Sequence, residues 1–227
     1  MLKPFVITFS GIDGAGKTTQ IDKLSSYLES SGIPVQKLTL WDNVALFRSA
    51  RSGFSRAVLQ SDTGVGMPGR PAERRDKNAQ NGFLLVGRFL LYILDLISLR
   101  KIVRKAPRVM GGVIIFDRYI YDQLAALPIE NWLVRAYVKM LLPFIPKPDI
   151  GYVLDAEPEI ARARKPEYPL DFMHRYRGSF LRLGKLAGLK VISAGTPEDV
   201  HLAVLRQLTK YAPTPSAQPE IDTELVA

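Results

Sequence analysis

Apolar positions fall into two alternating kinds of run along this chain. Residues 5–9, 112–116 and 150–154 are short and almost continuously apolar, the pattern of parallel strands buried on both faces. Residues 35–40 alternate apolar and polar and predict a further strand, and 189–192 predict a fifth. Helical spacing separates them. One helix is predicted over 17–30, with Ile21, Leu24 and Leu28 on one face and Gly32 as its stop. Others are predicted over 83–105, over 130–144 before Pro146 and Pro148, from Pro158 to about Lys165, and through Phe180, Leu181, Leu183 and Leu186. The last starts at Thr196, where Thr-Pro-Glu-Asp supplies a cap, a first-turn proline and early acids. Strand, helix, strand in this rhythm requires right-handed crossovers and predicts an α/β fold with a parallel sheet.

The 83–105 helix is apolar enough to raise the question of a membrane span. Arg88 and Asp95 interrupt it, and a span needs about 20 apolar residues with few charges, so a buried core helix is the expectation. The two charges are seven residues apart and share a face. A buried Arg88 needs an anionic partner or a ligand, and the residues leave both open.

Between the first strand and the first helix stands Gly11-Ile12-Asp13-Gly14-Ala15-Gly16-Lys17-Thr18, followed by Thr19. The spacing Gly-x-x-x-x-Gly-Lys-Thr, with a strand before and a helix after, is that of a phosphate-binding loop. Its glycines let successive backbone N–H groups turn inward around a phosphate, and the helix start adds its unpaired N–H groups and positive dipole end. Lys17 is expected to reach the outer phosphates, and the Thr18 hydroxyl to ligate Mg²⁺.

The run 112–116 is followed at once by Asp117-Arg118-Tyr119. Polar residues at the carboxyl end of a central parallel strand face the ligand crevice. Asp117 is therefore expected to hold Mg²⁺, directly or through water, and Arg118 to grip a phosphate bidentately. Further on, Arg162, Arg164, Lys165, Arg175 and Arg177 surround a proline-containing stretch over 166–174. Cations at both ends of such a loop suit a lid, spanning 164–177, that closes over transferring phosphates. His174 and His201 are the only histidines and form neither a metal pair nor a triad, and no Gly-x-Ser-x-Gly elbow is present.

Composition adds limits. With 227 residues, 47% hydrophobic and 23% charged, the chain suits one domain over 1–211, with a disordered, proline-bearing tail over 212–227. Cysteine is absent, so disulfides and thiolate metal sites are excluded. The first strand begins too early for a cleavable signal peptide, and a cytoplasmic protein is expected. The net charge of +9 calls for anionic partners, most economically nucleotides; no membrane role is expected and nucleic acid is disfavoured. Residues 41–81 carry weak signals: a short helix over 44–51, then a basic flexible loop over 48–81. There Arg48, Arg51, Arg56, Arg70, Arg74, Arg75 and Lys77 outnumber Asp62, Glu73 and Asp76. It is either a solvated surface loop or a flap over an anionic acceptor.

Three segments in order carry a resemblance: Phe-x-Gly-x-Asp-Gly-x-Gly-Lys-Thr-Thr-Gln from Phe9 to Gln20, Asp117-Arg118-Tyr119, and the partial Leu-x-x-x-Pro-Glu-x-Ala-x-x-Arg from Leu154 to Arg164. The chain resembles the thymidylate kinase family of P-loop nucleoside monophosphate kinases over most of residues 3–211. The resemblance implies a P-loop fold with a five-stranded parallel sheet wrapped by helices, ATP·Mg²⁺ as donor and a nucleoside monophosphate as acceptor. On it, Asp13 looks like the family's loop carboxylate near the acceptor, Arg118 its acceptor-phosphate arginine, and Arg88 the arginine that faces the base. Residue 15 is Ala, so the catalytic cation is expected from the lid, at Arg162, Arg164 or Arg175.

The chain also departs from the family. Leu40-Trp41-Asp42-Asn43-Val44 replaces Glu-Pro-Gly-Gly-Thr, and Ile120-Tyr121-Asp122-Gln123-Leu124-Ala125 replaces a serine-bearing stretch before Ala-Tyr-Gln. Asp42 and Tyr121 join Asp13, Arg88 and Arg118 as candidate acceptor contacts. The expected activity is phosphoryl transfer from ATP to a nucleoside monophosphate. The alternatives are a kinase for a nucleoside, sugar or other small acceptor, and a nucleotide-binding regulatory protein with polyanion affinity. Association as a homodimer is left open.

Overall fold

The structure is a computed structural model that describes residues 4–40, 82–105 and 112–210, without the side chains of residues 82–86, 88 and 105. The expected helix over 44–51, the basic loop, Asp42 and the 212–227 tail lie outside the described residues. Five strands form one sheet: β1 (Phe5–Ser10), β2 (Val35–Thr39), β3 (Val113–Asp117), β4 (Ile150–Asp155) and β5 (Lys190–Ser193). They run in the order β2-β3-β1-β4-β5, every pair parallel. The P-loop α/β fold read from the sequence is the fold observed.

The helices are α1 (Lys17–Ser30), α2 (Gly82–Lys105), α3 (Ile120–Ala125), α4 (Trp132–Leu141), α5 (Pro158–Arg164), α6 (Leu170–Ala187) and α7 (Pro197–Leu208). Alternate residues of each central strand feed two cores. Ile7, Phe9, Ile115 and Tyr152 pack with Ile21, Leu24 and Leu28 of α1 and Val204 and Leu208 of α7. Val6, Ile114, Phe116 and Val153 pack on the other face with α2, α3, α4 and α6. The central strands are thus covered on both sides, which is why they read as continuous apolar runs.

Local chemistry sets the element ends. α1 stops at Gly32, whose φ is 74°, and α6 at Gly188, whose φ is 69°. Thr196 caps α7 by accepting from the Asp199 N–H at 3.2 Å. Asn131 caps α4 by accepting from the Leu133 N–H at 2.9 Å, so this helix begins inside the expected 130–144 span and ends in a 3₁₀ turn, Leu142–Phe144, around Pro143.

Three expectations are corrected. The short helix α3 was not foreseen, because its six residues lie within the crowded turn after Arg118. The stretch over 166–174 is irregular only as far as Pro169: α6 starts at Leu170, so half of the expected lid loop is helix. Helix α2 is not buried all round. Tyr92, Asp95, Leu96 and Leu99 face the core, while Leu90, Leu94 and Ile97 form an exposed stripe. Among the described residues no helix is long and apolar enough to cross a membrane.

Candidate active site

The register brings the chemistry together. Phe9 pairs with Asp117 and Ser10 with Val153, so β1, β3 and β4 release their chains side by side at one edge of the sheet. From that edge come the glycine loop, the Asp-Arg pair and the segment leading to α5.

The loop is pressed against its neighbours. Gly11 has φ 140°, and a Cβ there would sit 2.6 Å from the Leu154 carbonyl oxygen. Gly14 has φ 85°, and its Cβ would sit 2.2 Å from the Ala161 carbonyl oxygen. Only glycine satisfies both the backbone angle and the space at these positions. Gly16, also left-handed, precedes the first turn of α1. Ala15 is half-buried, and Thr18 and Thr19 are exposed at the helix start.

Lys17 is 7% exposed, and its Nζ donates to the carbonyls of Gly11 at 2.8 Å and Ile12 at 2.9 Å. Burial, aided by Arg118, lowers its pKa against the pull of Asp13, Asp122 and Asp117. The lysine thus folds back on its own loop.

Arg118 takes φ 66°, the only described non-glycine residue with positive φ. Its N–H donates to the Phe9 carbonyl at 3.0 Å, and its guanidinium pairs with Asp13 across the mouth of the loop. Burial works to lower its pKa, but Asp13 and Asp122 outweigh it and the value is raised. Asp117 is half-buried and its Oδ1 has no hydrogen-bond partner, a cost unless a ligand completes it. Oxygen donors at Asp117 and Thr18 are of the kind Mg²⁺ takes. Among the described residues no three His, Asp or Glu side chains form a ready metal cage.

The lid cations separate. Arg162 is half-buried next to Ala161, and its Nε is buried without a hydrogen-bond partner. Arg164 is exposed. Arg175 is 67% exposed and reaches Asp171, one turn back, at 3.4 Å. Arg177 binds Asp155 at 2.5 and 3.0 Å and Glu157 at 2.9 Å, which ties α6 to the end of β4.

Three further candidates remain. Tyr121 is buried in the core with its ring tilted on Tyr119, and burial pushes its pKa up to about 12. The Arg88 side chain lies outside the described set, as does Asp42. Asp95, on the face shared with Arg88, accepts from Gln123 Nε2 at 2.7 Å. That answers half of the question raised by the helix's two charges.

Lys165, foreseen only as one of several lid cations, and Asp122, not foreseen at all, also lie near this edge. Lys165 pairs with Glu167 at 2.9 Å, a hydrogen bond that raises its pKa, and it feels the charges of Asp13 and Arg118. Asp122 is buried beside Ser10 and Tyr119. Its five-residue distance from Asp117 was the available signal, but only a helical turn makes that distance meaningful.

A parallel 2-3-1-4-5 sheet, a glycine loop seated on its neighbours and an Asp-Arg pair on the adjacent strand define a P-loop nucleotide-binding protein. No family model matches the chain. It is similar to a probable thymidylate kinase of Methanosphaera stadtmanae, 24% identical over 90% of this chain and 97% of the relative. A thymidylate kinase of Pelodictyon phaeoclathratiforme is 30% identical over 70% of this chain and 65% of the relative. The crystal structure of a thymidylate kinase from Ehrlichia chaffeensis matches the fold with a TM-score of 0.57 at 21% identity, over 92% of this chain and 99% of that one. The chain is thus similar to thymidylate kinases over most of its length.

Proposed function

We propose that this protein transfers the γ-phosphoryl group of ATP to a nucleoside monophosphate, giving the diphosphate and ADP, with thymidylate the first acceptor to test. The observation that carries it is the Asp13–Arg118 pair, which sets an anion-gripping guanidinium directly across the mouth of a phosphate loop. The similarity to thymidylate kinases supports it.

In this reading Gly11 to Thr19 cradle the donor phosphates, and Lys17 leaves the Gly11 and Ile12 carbonyls for the outer phosphates. Thr18 and Asp117 would hold Mg²⁺, which, when bound, neutralises phosphate charge. Arg118 binds the acceptor phosphate, freeing Asp13 to accept from an acceptor hydroxyl. The lid is the 165–169 loop with the start of α6. Of its cations Arg162 is best placed, since its neighbour Ala161 touches the phosphate loop while Arg175 points to solvent on Asp171. Catalysis is then positioning and charge neutralisation around an in-line transfer. Arg88 and Asp42 stay with the acceptor as expectations.

The test is release of ADP by purified protein with ATP, Mg²⁺ and a panel of nucleoside monophosphates. Acceptor-dependent release is expected; none with any member of the panel refutes the reading.

A homodimer completes the proposal. Gly87, Leu90, Leu94 and Ile97 repeat at spacings of three and four along α2, as a helix-pairing seam does. Trp132, Met140 and Phe144 extend the exposed apolar surface on the neighbouring α4 and its final turn. Light scattering should give twice the chain mass, and Leu94→Glu should halve it. The absence of cysteine suits the cytoplasm, where we place the protein.

A further inference from the structure

Asp122 is only 2% exposed, a carboxylate inside the protein at the first turn of α3. Its Oδ2 accepts from the Ser10 hydroxyl at 2.7 Å and from the Tyr119 N–H at 3.0 Å, while Oδ1 has no hydrogen-bond partner. The two donors are not arbitrary. Ser10 immediately precedes Gly11 of the phosphate loop, and Tyr119 immediately follows Arg118.

Arg118 holds a backbone angle that L-residues rarely adopt, and such a conformation persists only where its surroundings over-determine it. Here one peptide N–H is fixed to Phe9 and the next to Asp122. Tyr176 of α6 donates to the Asp122 carbonyl at 3.1 Å and seats the short helix from behind. Burying a carboxylate is costly, and burial raises its pKa against Arg118, Lys17 and its two donors. An uncharged residue would avoid that cost, but few could accept both bonds.

We propose that Asp122 is a positioning residue: its carboxylate ties the mouth of the phosphate loop to the strained Arg118 turn, and so sets where the guanidinium meets the acceptor phosphate. The inference rests on the reading of Arg118 as the acceptor-phosphate ligand. Asparagine at 122 offers a carbonyl oxygen of the same reach that can accept both bonds without charge. Alanine offers none. The pair separates hydrogen bonding from charge.

The experiment compares wild type, Asp122→Asn, Asp122→Ala and Ser10→Ala in steady-state kinetics, ATP affinity and amide hydrogen exchange. Asp122→Ala should lose about 30–100-fold in kcat/KM for the acceptor, since small misplacements cost about that much. The loss should divide between kcat and acceptor KM. ATP affinity should change by less than about twofold, because Leu154 and Ala161 seat the loop independently. Asp122→Asn should stay within about threefold of wild type, and exchange over 117–120 should quicken in the alanine variant alone.

Equal impairment of Asn and Ala overturns the proposal, as does a loss confined to ATP affinity or proportional to unfolded protein. If Asp122→Ala does not fold, Ser10→Ala decides: a roughly 3–10-fold loss in acceptor kcat/KM supports the tie, and unchanged kinetics overturn it. If wild type turns over no acceptor, the kinase reading fails by itself. Exchange at Tyr119 still judges the tie, and unaltered protection in the alanine variant overturns it.

Discussion

Gly14 of the phosphate loop lies against the Ala161 carbonyl of α5, so closely that a Cβ on the glycine would sit 2.2 Å from that oxygen. The glycine loop and α5 are therefore in direct backbone contact. A shift of one is felt by the other, and Arg162, the residue after Ala161, is carried with it. On the proposed reading, donor binding and lid placement would be joined at this point by packing.

Gly14→Ala should consequently be severe. Alanine is strained at φ 85° and collides with backbone rather than with a yielding side chain. A loss of at least about 10²-fold in ATP affinity is expected, read by nucleotide titration, with circular dichroism retained. Gly16→Ala meets nothing within 4 Å and should be milder, bearing only the cost of its left-handed backbone.

Arg118 and Asp13 should respond unequally to replacement. Arg118→Lys keeps a charge but loses the planar fork, and should raise acceptor KM at least about tenfold. Asp13→Asn leaves Arg118 without its anionic partner and should cut kcat/KM by about 10–10²-fold. Acceptor-dependent initial rates check both. An unchanged acceptor KM in Arg118→Lys would count against Arg118 as the phosphate ligand.

Among the lid cations, removal of Arg162 should lower kcat by about 10³-fold, the scale of a charge-neutralising arginine in phosphoryl transfer. Arg175→Ala should change kcat less than about twofold, because its solvent-exposed pair with Asp171 contributes little. Single-turnover rates at saturating nucleotides separate these outcomes.

The sheet and its donor loop were legible because each rests on a short local signal. Continuous apolar runs report burial on both faces, and the fixed glycine spacing of Gly11 to Thr18 reports the tight loop found there. The lid was half legible: cations and prolines gave its place, but not that α6 begins at Leu170, since Pro169 looked like a loop residue and is the residue that opens the helix. Tyr121 was drawn toward the acceptor by lying in the divergent 120–125 segment, and its side chain is buried in the core beside Tyr119. In the sequence Asp122 stood out only by its five-residue distance from Asp117 and by lying in the divergent 120–125 stretch. Its meaning depends on Ser10, 112 residues away in the chain, and such a contact has no local signature.

Asp122 also makes stability depend on pH in a definite direction. Its pKa is raised in the folded protein above the 3.8 of an ordinary aspartate. Between those two values the folded state holds more protons than the unfolded state, so this group's contribution falls as pH rises. At neutral pH the buried charge is a cost, fully relieved only below the unfolded value. Asp122→Asn keeps both hydrogen bonds and removes the charge. It should therefore raise Tm at pH 7–8, by roughly 2–4 °C for each kcal/mol recovered, and the gain should shrink as pH falls toward 4. Thermal unfolding of wild type and variant across that range checks it. A gain that is constant with pH would place the effect in packing, and a loss at neutral pH would mean that Arg118 and Lys17 depend on the charge more than burial opposes it.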